Sequence, residues 1–243
     1  MKRLNVNEYT NIYVACPANI ATGGPELLHQ LVHELNKLGL NAFMFYYNRK
    51  KNINPVNDAY LVYQNSFVDE IEDDKNNILI VPEVKTDLLY KFKLIQKVIW
   101  WLSVDNYFSF LNSKSKLKKI IKTILYSVRL YPIQKIYKFS KGEKVMHFVQ
   151  SEYARQMLKS KGFDNVFFLS DYLNKYFIEN QLLSLNTPKD NIVLYNPKKG
   201  LNFTKSIISH AKDISFVPIE NLKREDVAKL LSKAKVYIDF GNH

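Results

Sequence analysis

Two stretches of this 243-residue chain carry residue types at spacings suited to holding a polar or anionic ligand. The first is Ala21-Thr22-Gly23-Gly24-Pro25-Glu26, lying between an apolar run and an amphipathic one. Glycines at a strand-to-helix junction let backbone N–H groups approach a diphosphate, and the helix start adds partial positive charge. Thr22, Gly23 and Gly24 are thus candidate substrate-binding residues, with an ordinary turn as the competing explanation. The three-glycine dinucleotide fingerprint is absent, which argues against NAD. The second stretch is Ile99-Trp100-Trp101-Leu102-Ser103-Val104-Asp105-Asn106-Tyr107. In open α/β sheets the ligand crevice lies outside the carboxyl ends of the strands, where this run changes from apolar to polar. Ser103 and Asp105 are candidate catalytic residues and Asn106 a candidate substrate contact, while at least one tryptophan is expected to pack in the core.

Other groupings invite a blander interpretation. His29 and His33 stand four apart on one helix, a spacing that suits a metal, but no Glu follows His29, and hydrogen-bonded helix histidines are the commoner outcome. The acidic run 69 to 74 reads as a solvated loop. No metal or other cofactor is expected. Residues 114 to 144 hold ten Lys or Arg and one acid, Glu143, interleaved with an apolar stripe of Leu117, Ile120, Ile121, Ile124, Leu125 and Val128. That pattern fits a helix lying on an anionic membrane, and equally a surface helix packing its stripe on the sheet. Nucleic acid is not an expected partner, because no recognised nucleic-acid motif accompanies the charge.

The elements that must position these residues follow from hydrophobic periodicity. Strands are expected at 11 to 16, 41 to 47, 60 to 63, 78 to 81, 98 to 103, 145 to 150 and 166 to 169, several as unbroken apolar runs. A helix is expected from Pro25 to about Leu38, ended by Gly39, with Leu27, Leu28, Leu31, Leu35 and Leu38 toward the sheet. This predicts an α/β fold: a doubly wound Rossmann-like domain over 1 to 170, a linker over 171 to 187, and a partial Rossmann-like domain over 188 to 243. In the last part, strands are expected at 191 to 195, 214 to 217 and 236 to 240, with helices at 204 to 211 and 224 to 234. Three strands are few for a full Rossmann domain, so either the product is truncated or another chain completes the sheet.

With 47% hydrophobic residues the chain can bury a core, and 35 basic against 23 acidic residues give +12, an attraction to polyanions. The lone Cys16 excludes an internal disulfide framework. The polar first ten residues and the lack of a long apolar run predict a cytoplasmic protein.

Several segments resemble glycosyltransferase family 4 and related GT-B enzymes of bacterial surface polysaccharide synthesis. Thr22-Gly23-Gly24 with Glu26, Leu27 and Leu31 resembles the family's first loop and helix. His147-Phe148-Val149-Gln150-Ser151-Glu152-Tyr153-Ala154-Arg155, with Leu158 and Gly162, resembles the strand that runs into Ser-Glu-Tyr and a helix. Asn196-Pro197-Lys198-Lys199-Gly200 is similar to the Lys-Gly motif, in which Lys199 would bind donor phosphates and Asn196 or Lys198 would stand in for the usual arginine. The stretch 222 to 240 resembles the approach to the donor loop, of which Gly241-Asn242-His243 would be the first residues. The family's two-glutamate donor motif is absent, and Ser103 to Asp105 stand where its catalytic-site histidine is expected.

The resemblance implies a GT-B, metal-independent, retaining transfer of a sugar from a nucleotide diphosphate sugar to a glycan or lipid-linked acceptor; the basic stretch 114 to 144 leaves open a peripheral place at the inner face of the cell membrane. The alternatives are a non-catalytic, truncated homologue that binds acceptor, anionic membrane or a partner subunit, and a polyanion-binding module. Open strand edges allow a homodimer. Lys199 alone in a half-built donor site predicts weak donor binding by this chain by itself.

Overall fold

The computed structural model describes residues 3–112, 136–142, 144–171, 175–179, 185 and 187–240, in two units, Met1–Asp171 and Tyr172–His243. Most of the basic stretch 114 to 144, and Gly241 to His243, lie outside the described residues. The first unit is built on a seven-stranded, all-parallel sheet of order β3-β2-β1-β4-β5-β6-β7. Its strands are β1 (Asn11–Pro17), β2 (Asn41–Tyr47), β3 (Phe67–Val68), β4 (Ile78–Pro82), β5 (Gln96–Trp101), β6 (Val145–Val149) and β7 (Val166–Phe168). This is a Rossmann-like architecture.

The strands read as continuous apolar runs because both faces of the sheet are covered. Successive side chains alternate between two cores. Ile12, Val14, Ile78, Ile80, Val98 and Trp100 pack on one face with Leu28 and Val32 of helix α1 (Gly23–Lys37). Tyr13, Ala15, Leu79, Val81, Ile99 and Trp101 face the other way, toward Tyr107 of α2 (Val104–Asn112) and Ala154 and Leu158 of α3 (Glu152–Ser160). Both tryptophans are therefore core residues.

Helix α1 ends in a Schellman motif: Gly39 at φ +80° sends its N–H to the Asn36 carbonyl, and the Leu40 N–H reaches the Leu35 carbonyl. The motif corrects one expectation. Leu38, at the cap, is 77% exposed, and Leu40 packs on the core instead. A second correction concerns 60 to 63, expected as a strand and found within a 3-10 helical segment, Asp58–Tyr63. The Asn57 side chain accepts the Ala59 N–H and starts the turn. Tyr60 and Tyr63, three apart, are buried against α1, whereas Leu61 and Val62 are exposed. The 3-10 helical segment Glu83–Lys91 and helix α2 carried no strong periodic signal and were not anticipated.

Two of the buried polar groups in this unit, His147 and Glu83, tie its strands and turns together. His147 on β6 accepts from Trp101 Nε1 at Nδ1 (3.1 Å), so its proton lies on Nε2 and is donated to the Tyr137 hydroxyl (3.1 Å). Burial lowers its pKa to about 4, so the ring is neutral. Glu83 follows β4 directly, is 3% exposed, and accepts the Leu102 N–H at 3.0 Å, with the amides of Ser103 and Glu83 also hydrogen-bonding to it. One carboxyl group thereby ties the end of β4 to the turn after β5.

The second unit contains β8 (Asp190–Tyr195), β9 (Ser215–Pro218) and β10 (Ala234–Ile238), parallel and in the order β10-β8-β9. Helix α4 (Lys175–Glu179) precedes them, and α5 (Leu201–His210) and α6 (Arg224–Lys233) connect them. Leu194, Thr204, Ala228 and Ala234 are its buried residues among those described. No helix among the described residues is long and apolar enough to cross a membrane.

Glu83 makes stability depend on pH. Burial raises its pKa from 4.5 to about 7, outweighing the N–H groups that lower it. Between those values the folded chain holds a proton that the unfolded chain has released, so this contribution is full below pH 4.5 and is lost as pH rises to about 7. We expect Glu83→Gln to gain about 3 kcal/mol relative to wild type across that window, with no further change above it. Urea unfolding followed by the fluorescence of Trp100 and Trp101 measures this within the first unit, and a pH-independent difference would show that Glu83 is ionised throughout.

Candidate functional site

In the first unit the chain leaves β1 toward β2 and β3 on one side, while β4 to β7 extend the sheet on the other. A parallel sheet that grows both ways from a central pair opens a crevice at the carboxyl ends of that pair, here β1 and β4. Three segments meet there: the loop from Pro17 into α1, Glu83 after β4, and Leu102 and Ser103 after β5.

Thr22 precedes α1 in extended conformation and makes no side-chain cap bond, which leaves the first N–H groups of the helix without that partner. Neither Gly23 nor Gly24 has a positive φ. A Cβ on Gly23 would meet nothing within 4 Å, and one on Gly24 would make only an ordinary 3.6 Å contact with Leu102 Cδ1. Turn geometry and packing therefore do not require either glycine, and the space beside Gly23 is open. That observation favours a ligand loop over a plain turn.

Beneath the loop lies a polar network that no motif announced. The Tyr60 hydroxyl donates to the Thr22 carbonyl at 2.8 Å. His29 contacts the Pro25 carbonyl through Nδ1 (2.7 Å) and the Tyr46 hydroxyl through Nε2 (2.8 Å). A carbonyl only accepts, so the proton is on Nδ1 and Tyr46 donates to Nε2. Burial lowers the His29 pKa, which keeps the ring neutral. The Tyr63 hydroxyl donates to Glu26 (3.1 Å) and accepts from Gln30 (3.0 Å), and Asn65 donates to the His29 carbonyl (2.7 Å). His33 donates through Nδ1 to the Tyr63 carbonyl at 2.9 Å. Both helix histidines thus brace the structure beneath the loop. The three-residue spacing of Tyr60 and Tyr63 was the available signal, but the unbroken apolar run there suggested a strand.

Ser103, Asp105 and Asn106 stand at the carboxyl end of β5. The Ser103 hydroxyl accepts the Asn106 N–H at 3.2 Å, a helix-start bond. Asp105 accepts from the Tyr153 hydroxyl at 3.2 Å and so faces the start of α3. There Ser151 accepts the Ala154 N–H and Glu152 pairs with Arg155. The structure thus groups Gly24 with Leu102, Ser103 and Glu83, and Asp105 with Tyr153. Glu83 escaped notice in the sequence because a single acid after an apolar run carries no spacing signal.

The second unit has its own loop at the carboxyl end of its central strand. Asn196 to Gly200 follow β8 and lead into α5. Gly200 has φ +60°, and a Cβ there would come within 2.6 Å of the Phe240 carbonyl oxygen, so glycine is demanded twice over. Asn196 Oδ1 accepts the Lys198 N–H at 3.0 Å and shapes the turn. Lys199 Nζ lies 3.6 Å from Asp239, just beyond β10, and Asp239 also accepts from Tyr237 (2.9 Å) and Asn196 (3.4 Å). Its charge, added to burial, pushes the Tyr237 pKa to about 12. Lys198 is exposed. Asp239 was not anticipated as a site residue, because only the pairing of β8 with β10 brings it to Lys199.

No family model matches the chain, and no solved structure matches it. Among curated proteins, the alpha-1,6-glucosyltransferase of Actinobacillus pleuropneumoniae serotype 7 (strain AP76) is 25% identical over 248 residues. The match covers 95% of this chain and 65% of that protein, so the chain spans less than two thirds of its relative's length.

Proposed function

We infer that this chain is a glycosyltransferase, or part of one, of the GT-B type, transferring a hexose from a nucleotide diphosphate sugar to a glycan or lipid-linked acceptor in surface polysaccharide synthesis. The observation that carries the reading is the similarity to an alpha-1,6-glucosyltransferase along 95% of the chain, which takes in both loops described above. The seven-stranded Rossmann-like sheet and the open glycine loop support it.

On this reading the second unit serves the donor. Lys199 and Lys198, beside the start of α5, offset the charge that builds on the departing diphosphate, and Asp239 holds the Lys199 ammonium in place. The first unit serves the acceptor side through Thr22, Gly23, Gly24 and Asn106, with Ser103 and Asp105 next to the reacting groups. Charge stabilisation and positioning then supply catalysis with retention and without a metal. The basic stretch 114 to 144 would hold the protein at the inner face of an anionic membrane. A second reading, a homologue that binds sugar without transferring it, is favoured by the engagement of Lys199 with Asp239. Incubating the purified protein with a panel of nucleotide diphosphate hexoses and glycan or lipid-linked acceptors separates the two, because only the first yields a glycosidic product.

Two substitutions test the assigned roles. Gly23→Ala adds a methyl group to open space in the first turn of a helix, so the fold should hold or gain about 0.5 kcal/mol. Transfer should nonetheless fall at least about tenfold, a barrier change of roughly 1.4 kcal/mol. Unchanged turnover would leave the glycines with a backbone role only. Lys199→Ala should raise the donor KM about tenfold, more than Lys198→Ala does, as loss of one charge-assisted contact predicts. Equal effects from the two lysines would deny Lys199 its special position.

A further inference from the structure

A cavity of about 450 Å³ opens at the amino ends of β5 and β6, at the opposite edge of the sheet from the glycine loop. Arg3, Lys93, Lys97 and Lys144 line it, together with apolar side chains that include Leu4, Leu94 and Met146, and no carboxylate among the described residues lines it. These cations come from four separate segments: the amino-terminal tail, the turn before β5, β5 itself and the approach to β6. Hydrogen bonds hold the first three of these segments. The Gln96 side chain clasps the tail, accepting from the Asn5 N–H (2.7 Å) and donating to the Asn5 carbonyl (2.8 Å), which sets Arg3 and Leu4 beside the strand end. Asp73 accepts the N–H groups of Lys93, Leu94 and Ile95 at 2.8 to 3.0 Å, which fixes that turn, and its charge also acts on Lys97. Lys97 Nζ donates to the Phe92 carbonyl at 2.6 Å.

Arg3, Lys93 and Lys144 have no carboxylate partner among the described residues. Like charges gathered on one concavity repel one another, and an anion seated among them relieves that repulsion. The volume falls within the range of small-molecule sites. The apolar lining, with Leu94 62% exposed at the rim, would be left wet by a bare anion. We propose that this cavity binds a phosphate group carrying an apolar substituent, the phosphate among the four cations and the apolar part against Leu4, Leu94 and Met146. The site is separate from the glycine loop, since a six-residue strand spans about 20 Å, and the proposal does not depend on sugar transfer.

The ligand chemistry has two sources, a membrane phospholipid and a soluble phosphorylated metabolite. Calorimetric titration at low ionic strength with short-chain dihexanoyl phosphatidic acid, and separately with inorganic phosphate, tests the site itself. The phosphatidic acid should bind at least about tenfold more tightly than phosphate, and the double variant Lys93→Glu/Lys144→Glu should lose at least about tenfold in affinity. Leu94→Ser should weaken phosphatidic acid and leave phosphate unchanged. All three residues are exposed, and circular dichroism verifies that the variants fold. Flotation with phosphatidylcholine vesicles, with and without phosphatidic acid, then assigns the source: anionic-vesicle binding that the double variant loses means a lipid, and titration without such binding means a metabolite. No binding of phosphatidic acid by wild type, undiminished binding by the folded double variant, or phosphate binding as tightly as phosphatidic acid would overturn the proposal.

Discussion

The pairing of β1 with β2 on one side and β4 on the other is the constraint on which the rest of the first unit depends. The register runs from Asn11 opposite Asn41 to Pro17 opposite Tyr47, and Ile12 to Val14 lie opposite Ile78 to Ile80. A parallel ladder requires long crossovers, and crossovers of one hand place helices on both faces. Both faces of β1 and β4 are thus sealed from water, which accounts for their unbroken apolar sequences. The same arrangement forces the chain to leave β1 and β4 in opposite directions, so a concavity at their carboxyl ends is a product of topology. The glycine loop and Glu83 stand beside it because of their order in the chain.

A sealed sheet leaves polar groups that need partners, and the structure spends its histidines and tyrosines on them. His29, Tyr46, Tyr60, Tyr63, Gln30 and Asn65 bond to one another and to the carbonyls of Thr22, Pro25 and His29. An unpartnered buried carbonyl is costly, and a donor aimed at each one (the Tyr60 hydroxyl at Thr22, the His29 ring N–H at Pro25, the Asn65 amide at His29) sets where the start of α1 sits. Among the described residues, Gln30 Oε1 is the buried side-chain atom with no partner. On the other face, His147 fills the same need between Trp101 and Tyr137. Burial holds both rings neutral, so they serve as directional bonds and not as charges.

The two units present loops of different character at the ends of their central strands. Beside Gly23 the missing side chain leaves open room, and beside Gly24 only Leu102 comes near. At Gly200 the backbone of Phe240 occupies that room, and a left-handed conformation is required as well. The first loop offers space and N–H groups, and the second offers charge, with Lys199 set against Asp239.

Much of the first unit was legible in the sequence, because β1, β2, β4 and α1 announce themselves through apolar runs or a 3.6-residue period that solvent exclusion imposes locally. The α/β class and the placement of Thr22 to Gly24 and Ser103 at strand ends follow from that pattern. What the pattern could not carry depends on contacts between residues distant in sequence. The unbroken apolar run Tyr60 to Tyr63 reads as a strand until α1 is present to bury Tyr60 and Tyr63 alone, three apart on one face of a 3-10 turn. Glu83 is an unremarkable acid until the turn after β5 closes over it, and Asp239 meets Lys199 only because β8 and β10 pair. The cations of the amino-edge cavity lie as far apart as Arg3 and Lys144 in the chain. Periodicity records which face of an element is dry, and only the assembled sheet decides which side chains those faces bring together.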